Sequence, residues 1–379
     1  MIRPRNPFVI GRYVGPEYFC DRVEETRTLK HHITNGRNVV IMSERRLGKT
    51  GLIEHCLNQA DIQSEYYCFF FDIFAAHSMR EFVCELANEV FRKLAPTKKS
   101  ILLTVSSFLR SLQTTFSIDP NSGVPQMNLS LGDIEQPETT LDELLAMLEA
   151  ADRPCIIAVD EFQQIAQFEE NNVEAILRTK IQHLKNVQFI FAGSKKHLLE
   201  EIFDNPSRPF YNSVVFMQLQ PIDQEVYVQF CQQLFGAYHK VIDEALIRHA
   251  YRYFGGVTWY LQLFMNEAFG TTDRESSITD SSFDEVLQHL IDTKRFSFEE
   301  SYARLTEKQK AVIRAMAAEY PKSVLPTSKD FILTYKLKTA SIVQTALKGL
   351  EDKGIIQHNG ETRQITDLLF AIWLKQRMG

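Results

Sequence analysis

Residues 43–50 read SERRLGKT and lie between a short apolar run, residues 39–42, and a helical pattern. A glycine, a lysine and a hydroxyl side chain in succession suit a bound phosphate group. Gly48 lets the main chain approach an anion without a Cβ, while amide groups of the loop and of the following helix point at it. The Lys49 ammonium can reach the β- and γ-phosphates, and the Thr50 hydroxyl can ligate Mg²⁺. The pattern therefore predicts a phosphate-binding P-loop that opens a helix.

One position departs from the usual P-loop pattern, G-x-x-x-x-G-K-[ST], because Ser43 stands where the first glycine is expected. Serine tolerates a positive φ less well than glycine, so we expect the start of the loop to differ. The alternative is an ordinary helix start in which Gly-Lys-Thr occurs by chance. The residues that we expect around the nucleotide phosphates are Ser43, Arg45, Arg46, Leu47, Gly48, Lys49, Thr50 and Gly51.

An apolar run that ends in two acids, residues 155–161 (CIIAVDE), has the form of a Walker B strand. At the carboxyl end of a central strand, Asp160 would hold Mg²⁺ directly or through water, and Glu161 would polarise the attacking water. The alternative is a strand that meets a solvated acidic turn. Because both motifs occur in the order that nucleotide chemistry requires, they predict a site for ATP and Mg²⁺, with Thr50 and Asp160 as metal ligands.

Two further residues are candidates for contact with the γ-phosphate. Ser194 ends the apolar run 187–194, and in this class of ATPase that position lies beside the γ-phosphate. Arg208 follows in a loop and is the cation best suited to reach the γ-phosphate, from the same chain or from a neighbour. An exposed loop arginine is an equal alternative. With Lys49 and Glu161, these residues form the predicted catalytic set.

The segment before the first strand, residues 7–22, mixes aromatic residues with glycine and proline. In many P-loop ATPases this segment closes over the adenine. Phe19, Asp21 and Arg22 could do so here, and we take Phe19 and Arg22 as candidate nucleotide-binding residues. A plain N-terminal packing arm is the alternative.

Five apolar segments alternate with helical patterns and predict the central sheet; they are residues 39–42, 66–72, 155–161, 187–193 and 214–219. Alternation of strands and helices implies a largely parallel α/β sheet with helices on both faces and the ligand at the carboxyl ends of the strands. The additional strand after residues 155–161 is typical of the P-loop branch that keeps a catalytic glutamate. Helices at residues 79–94 and 101–112 and a β-hairpin at 115–131 are expected between the two motifs.

The C-terminal part predicts two further domains. Residues 221–304 are mainly helical and would form a lid over the nucleotide, after an ATPase core at 1–220. Residues 305–379 predict three helices and a hairpin, a winged helix-turn-helix domain. The outward face of its third helix would carry Ser341, Gln344, Thr345 and Lys348, with Lys336 and Lys338 before it.

Charge is distributed unevenly along the chain. Residues 305–379 contain 12 Lys and Arg against 7 Asp and Glu, which gives a charge of +5. Because the net charge of the chain is −6, the remaining residues carry −11. A basic module favours a polyanionic partner such as double-stranded DNA. The alternative is a packing domain of the same fold that contacts only protein.

Composition is that of an ordinary globular protein, with 44% hydrophobic and 24% charged residues. The sequence has no apolar run long enough to cross a membrane and no signal-peptide pattern. Six cysteines are scattered without a C-x-x-C pair and are expected to be reduced core residues of a cytoplasmic protein. Cysteine and histidine spacing does not suggest a zinc site.

With these motifs in place, the whole chain resembles the archaeal-type ATPase family, of the STAND group within the AAA+-related P-loop NTPases, which carries a C-terminal winged helix. The residues that carry the resemblance are RRLGKT at 45–50, DEFQ at 160–163, Gly193-Ser194 and GGVTWYL at 255–261. Thr258 stands where that family usually has proline. The resemblance implies ATP binding with slow hydrolysis that is used as a switch.

The expected function is therefore a cytoplasmic Mg²⁺-dependent ATPase that binds ATP and ADP and whose nucleotide state positions a winged helix module. Two alternatives stay open at this stage. One is a DNA-binding regulator in which ATP is a structural ligand with negligible turnover. The other is a protein-interaction scaffold that uses the winged helix to bind a partner. Salt-dependent binding to duplex DNA distinguishes them, because phosphate contacts release counterions.

Overall fold

The computed structural model describes residues 4–94, 111, 117–118, 125–126, 131–359 and 361–377. The described chain divides into two compact units. The first comprises Met1–Phe230 with Gly256–Tyr260, and the second comprises Cys231–Gly255 with Leu261–Gly379. The predicted site falls in the first unit.

The first unit is organised around a parallel sheet. Its strands are β1 Val39–Met42, β2 Tyr67–Asp72, β3 Ser117–Ile118, β4 Pro125–Gln126, β5 Cys155–Asp160, β6 Val187–Gly193 and β7 Val215–Gln218. Within the described residues, five of them form one sheet in the order β2-β5-β6-β1-β7, and each neighbouring pair is parallel. The additional strand β6 therefore lies between the strand with the acid pair and the strand that leads into the P-loop.

The inner strands are apolar on both faces because helices cover the sheet from both sides. Alternate residues of β1 divide between two cores: Val40 and Met42 join one, and Val39 and Ile41 join the other. This period of two explains why the strands appear in the sequence as continuous apolar runs rather than as alternating patterns.

Helices complete both layers of the first unit. They are α1 Val23–Thr34, α2 Lys49–Leu57, α3 Ala60–Glu65, α4 Met79–Leu94, α5 Pro137–Glu149, α6 Val173–Ile181 and α7 Lys196–Phe203. Residues of α1 to α3 line one core, and residues of α4 to α7 line the other. A 3₁₀ helix, Phe162–Gln167, follows β5 directly.

The strand and helix predictions for this unit hold to within a few residues, and the predicted fold class is confirmed. Residues 39–42 and 79–94 have the predicted bounds. The helix predicted at 101–112 lies outside the described residues, except for Ser111. Of the hairpin predicted at 115–131, the structure describes the antiparallel pairs Ser117↔Gln126 and Ile118↔Pro125.

Chain order continues with the remaining elements, most of them in the second unit. The helices are α8 Gln224–Ala237, α9 Glu244–Tyr253, α10 Thr258–Thr271, α11 Phe283–Ala303, α12 Glu307–Ala318, α13 Lys329–Thr334, α14 Ala340–Glu351 and α15 Leu368–Gln376. The strands are β8 Val241–Ile242, β9 Ser277–Ile278, β10 Ile356–Asn359 and β11 Thr362–Ile365. Strands β8 and β9 form a short parallel pair that the sequence analysis did not predict.

Helices α12, α13 and α14 and the antiparallel pair β10–β11 form the predicted winged helix arrangement. Val324 adds a bridge to Arg363 beside the wing. The structure adds helix α15, whose residues from Leu369 to Leu374 are all buried. The outward face predicted for the third helix is exposed at Ser341, Gln344, Thr345 and Lys348, and Lys336 and Lys338 are exposed before it.

The six cysteines all lie within the described residues and are buried and free, as the sequence predicts. Burial raises the pKa of the Cys20, Cys56 and Cys155 thiols to about 12, so these groups are poor nucleophiles. In the part of the chain that the structure describes, no helix is both long enough and apolar enough to span a bilayer.

Helix α12 begins at a capping box that Thr306 and Gln309 form. The Gln309 amide N–H donates to Thr306 Oγ1 at 3.3 Å, and the Thr306 N–H donates to Gln309 Oε1 at 3.1 Å. We expect Thr306→Ala to lower the free energy of unfolding of the second unit by about 1 kcal/mol, the usual loss for an N-cap. Urea denaturation measures the change, and Thr306→Ser, which keeps the oxygen, is the control. Equal losses in both variants would contradict the capping role.

Candidate nucleotide-binding site

The site forms where β1, β5 and β6 end and the loops after them begin. The P-loop connects β1 to α2, the acid pair ends β5, and Ser194 follows β6. Carboxyl ends of parallel strands meet at one edge of a sheet, so three segments that are far apart in the sequence come together there.

The predicted phosphate ligand and the predicted acid pair are in direct contact. Lys49 Nζ lies 3.0 Å from Asp160 Oδ1 and 3.6 Å from Glu161 Oε1. The Thr50 hydroxyl donates to Asp160 Oδ2 at 2.6 Å. Lys49 and Asp160 are 7% and 3% exposed, so each charge depends on the other for compensation. The structure thus brings Lys49, Thr50, Asp160 and Glu161 together.

The loop takes a course that explains the departure at Ser43. Ser43 is buried and does not have a positive φ, and its hydroxyl donates to the Glu44 carbonyl at 2.9 Å. The left-handed conformation falls later in the loop instead, at Arg46 with φ 70° and at Gly48 with φ 89°. A glycine at position 43 is therefore not required by this backbone.

Arg46 is held by the motif at residues 255–261, which the sequence analysis could not locate in space. Its guanidinium lies over the rings of Trp259 and Tyr260 at 4.8 and 4.9 Å and donates to the Tyr260 hydroxyl. The Trp259 N–H donates to the Arg46 carbonyl at 3.0 Å, and Thr258 Oγ1 donates to the Leu47 carbonyl at 3.3 Å. These contacts fix the P-loop to the first turn of α10.

The N-terminal candidates also border the P-loop. Arg22 is buried, and its guanidinium donates to the Leu47 carbonyl at 3.1 Å and to Glu25 at 2.7 Å. Phe19 stacks on His55 of α2 with ring centroids 4.3 Å apart. A Cβ at Gly51 would lie 3.3 Å from Phe19 Cε2, so a larger residue at this position of α2 would have to move the ring slightly.

Ser194 and Arg45 meet at the acid pair, whereas Arg208 does not. The Ser194 hydroxyl donates to Glu161 Oε2 at 3.1 Å, and Arg45 Nε donates to Ser194 Oγ at 3.4 Å. Arg208 forms an ion pair with Glu174 of α6. Burial raises the pKa of Glu174, and the Arg208 charge opposes that shift.

Two carboxylates near the acid pair were not among the predicted site residues. Asp72 ends β2 and is the register partner of Asp160. Burial raises the pKa of Asp72, and the charges of Asp160 and Glu161 raise it further. Burial likewise raises the pKa of Glu54 on α2, with a smaller contribution from Asp160. The position of Asp72 at the end of the apolar run 66–72 could have identified it as a site residue from the sequence.

The donor set suits a hard cation that keeps much of its water. Thr50 and Asp160 offer oxygen atoms, which Mg²⁺ prefers, and such sites supply one or two protein ligands beside phosphates and water. Among the described residues there is no group of three or more His, Cys, Asp or Glu that could enclose a metal ion. A site completed by phosphate oxygens fits this arrangement better than an all-protein metal cage.

The fold and the loop define a P-loop NTPase. A family model described as an ATPase domain predominantly from Archaea matches residues 19–264, and a model of a probable winged helix domain matches residues 296–376. Because the first match covers more than half of the sequence, the chain belongs to this archaeal-type family of ATPase domains, and the predicted family is confirmed. A comparison with curated proteins finds no significant match.

Solved structures share the fold at low sequence identity. A Walker-type ATPase of Pyrococcus abyssi, paby2304, matches with a TM-score of 0.62 and 20% identity over 97% of this chain and 99% of that chain. Aeropyrum pernix ORC2, solved as ADPNP-ADP complexes, matches with a TM-score of 0.57 and 12% identity over 98% and 96%. Aeropyrum pernix ORC1, solved in complex with DNA, gives 0.54 and 13% over 98% and 96%.

Ionisation of Asp72 should lower the free energy of unfolding as the pH rises. Its pKa is raised in the folded protein, so its ionisation opposes folding. Below about pH 3.9, the ordinary aspartate pKa, the group is neutral in both states and costs nothing. As the pH rises through that value, ionisation of Asp72 begins to lower the free energy of unfolding. The loss reaches its full size above the raised pKa of the folded protein. We therefore expect Asp72→Asn to raise the melting temperature of nucleotide-free protein at pH 8.

The gain from Asp72→Asn should shrink as the pH falls toward 4. Differential scanning fluorimetry of both proteins in Mg²⁺-free buffers between pH 4 and pH 8 measures it. A gain that is the same at every pH would contradict the assignment of a raised pKa to this carboxyl.

Proposed function

We propose that this protein binds ATP with Mg²⁺, hydrolyses it slowly, and uses its nucleotide state as a switch that positions the winged helix module. The observation that carries the proposal is the contact of Lys49 and Thr50 with the acid pair Asp160 and Glu161, in which Lys49 and Asp160 are buried. A lysine and a hydroxyl from a P-loop beside two carboxylates are the groups that phosphoryl transfer to water requires.

Each residue receives one role in this proposal. Lys49 and the amides of Ser43 to Gly51 bind the β- and γ-phosphates, and Thr50 and Asp160 would hold Mg²⁺, which neutralises phosphate charge when bound. Glu161 acts as the general base toward the attacking water. Ser194, which donates to Glu161, responds to the presence of the γ-phosphate.

The remaining candidates have conditional roles. Phe19 and Arg22 would close over the adenine, a role that their position beside α2 and Leu47 supports. Arg208 would reach the γ-phosphate, in its own chain or in a neighbour, only after its ion pair with Glu174 opens. Arg46 would act through the loop backbone, since its guanidinium is bound to Trp259 and Tyr260.

We assign the functions to three parts of the chain: nucleotide binding to residues 1–220, a helical lid to 221–304 and the winged helix to 305–379. For the winged helix we propose double-stranded DNA as the partner. The exposed face of α14 and the +5 balance of residues 305–379 support this choice. The related ORC1 fold, which was solved in complex with DNA, agrees with it. A protein partner is the second candidate, and the experiment on the lysines below separates the two.

Hydrolysis is tested with Glu161→Gln. Because the carboxylate is assigned to the water and not to the metal, we expect ATP binding to persist while turnover falls by about 10²-fold or more. Phosphate release at saturating Mg-ATP measures turnover, and calorimetry measures binding. Lys49→Ala serves as the binding-deficient comparison. Unchanged turnover in Glu161→Gln would exclude it as the base, and unchanged affinity in Lys49→Ala would exclude the P-loop assignment.

DNA binding is tested with the triple variant in which Lys336, Lys338 and Lys348 become Ala. If these side chains contact phosphates, affinity for all duplexes should fall alike, and the slope of log affinity against log salt should flatten by about one unit per lost contact. A gel-shift titration at several salt concentrations measures both. Exposed Lys308 and Lys322, each changed to Ala, are controls that lie off the α14 face. Wild-type protein that binds no duplex at low salt would instead favour a protein partner.

A further inference from the structure

The two oxygens of the Glu161 carboxylate have unlike surroundings. Oε2 accepts a hydrogen bond from the Gln163 side-chain amide and another from the Ser194 hydroxyl at 3.1 Å. Oε1 faces Lys49 Nζ at 3.6 Å. Two neutral donors therefore fix one oxygen, while the other faces the cation that the proposed function assigns to the phosphates. The carboxylate is held in one orientation before any substrate arrives.

The chemistry of the groups determines how Gln163 must be turned. An ionised carboxylate only accepts hydrogen bonds, so the amide nitrogen has to face Glu161 and the amide oxygen has to face away. Gln163 is 2% exposed, and in the described part of the chain its Oε1 has no hydrogen-bond partner. A buried acceptor without a partner costs free energy. This glutamine therefore orients Glu161 at some expense of stability.

Gly193 provides the space that this orientation needs. It ends β6, one residue before Ser194. A Cβ on Gly193 would lie 1.9 Å from Gln163 Oε1 and 3.0 Å from Gln163 Cδ, so any larger residue must displace the amide. The same strand end thus supplies one donor to Glu161 and leaves room for the other.

Glu161 itself has a backbone that needs such support. Its φ of 54° is left-handed, and its N–H donates to Asp160 Oδ1 at 2.9 Å. A non-glycine residue in this region is strained and is retained when its surroundings fix it. Side-chain contacts from Gln163 and Ser194 complete that fixation.

We propose that Gln163 is a positioning residue for ATP hydrolysis: its amide, in the space left by Gly193, holds Glu161 Oε2 so that Oε1 accepts the proton of the attacking water. This inference rests on the proposed function, in which Glu161 is the general base. In that step the water oxygen bonds to the γ-phosphorus, the bond to the β-phosphate oxygen breaks, and the water proton passes to Oε1.

The experiment compares Gln163→Ala, the shape-matched Gln163→Glu and Gln164→Ala in the full-length chain. Gln164 is the matched control because it lies in the same 3₁₀ helix and is also buried, and no hydrogen bond joins its side chain to Glu161 in the described contacts. Phosphate release gives kcat and KM for Mg-ATP. We expect both Gln163 variants to lower kcat by about 10²-fold, the effect of misplacing a reacting group. KM should stay within about a factor of two, because substrate binding is not altered.

Gly193→Ala adds a test that leaves Gln163 in place. We expect it to lower kcat in the wild-type background but to have little further effect in Gln163→Ala, which lacks the displaced amide. This non-additivity identifies a shared interaction. The other close neighbour of the new Cβ, Leu199 Cδ1 at 3.0 Å, is the end of a flexible side chain.

The outcomes separate the inference from the proposed function. Suppose that phosphate release depends on Lys49 but that Gln163→Ala lowers kcat no more than Gln164→Ala does. This result would overturn the inference and leave the ATPase assignment standing. A parallel loss of kcat and of melting temperature in Gln164→Ala would show a structural role for the 3₁₀ helix as a whole and would also overturn it. Wild-type protein without Lys49-dependent release would overturn the proposed function and the inference together.

Discussion

The buried pair of Lys49 and Asp160 is the interaction on which the site depends. These residues belong to α2 and β5, and strand β6 lies between β5 and the strand that precedes α2. Their contact at 3.0 Å therefore requires β1, β6 and β5 to be in register. Burial makes the folded protein sensitive to substitution of Lys49, since its removal takes away the cation that faces the buried Asp160 carboxylate. Stability and nucleotide chemistry thus rely on the same residues.

Several non-glycine residues around this pair have a left-handed backbone. Arg22, Arg46 and Glu161 all have positive φ values, at 64°, 70° and 54°, although none is glycine. Each is fixed by contacts that its own sequence neighbours alone do not provide: Arg22 by the Leu47 carbonyl, Arg46 by two aromatic rings, and Glu161 by Gln163 and Ser194. Strained residues persist where surrounding structure over-determines them, and such places are commonly functional. The P-loop and the acid pair therefore depend on packing from several elements.

Sequence patterns predicted the helices and strands well where apolar residues had a clear period or where polar loops marked the ends of a segment. Helix α4 has apolar residues at regular spacing, and β1 is a short apolar run bounded by polar loops, so both bounds were correct. Helix α15 was missed because its sequence, LLFAIWLKQ, is almost continuously apolar. Such a run shows neither a period of 3.6 nor a period of 2, and burial on all sides is the physical reason. Strands β8 and β9 were too short to give any pattern.

The sequence by itself determined the family, the order of the strands along the chain and the residues of the two nucleotide motifs. Local chemistry suffices for this, since a phosphate loop and an acid-ended strand are contiguous segments. Only the tertiary structure decided which distant groups meet. It joined Arg46 to Trp259 and Tyr260, paired Arg208 with Glu174, and brought Asp72 beside the acid pair. These contacts depend on strand order in the sheet and on loop conformation, and neither is encoded in the spacing of residues along one segment.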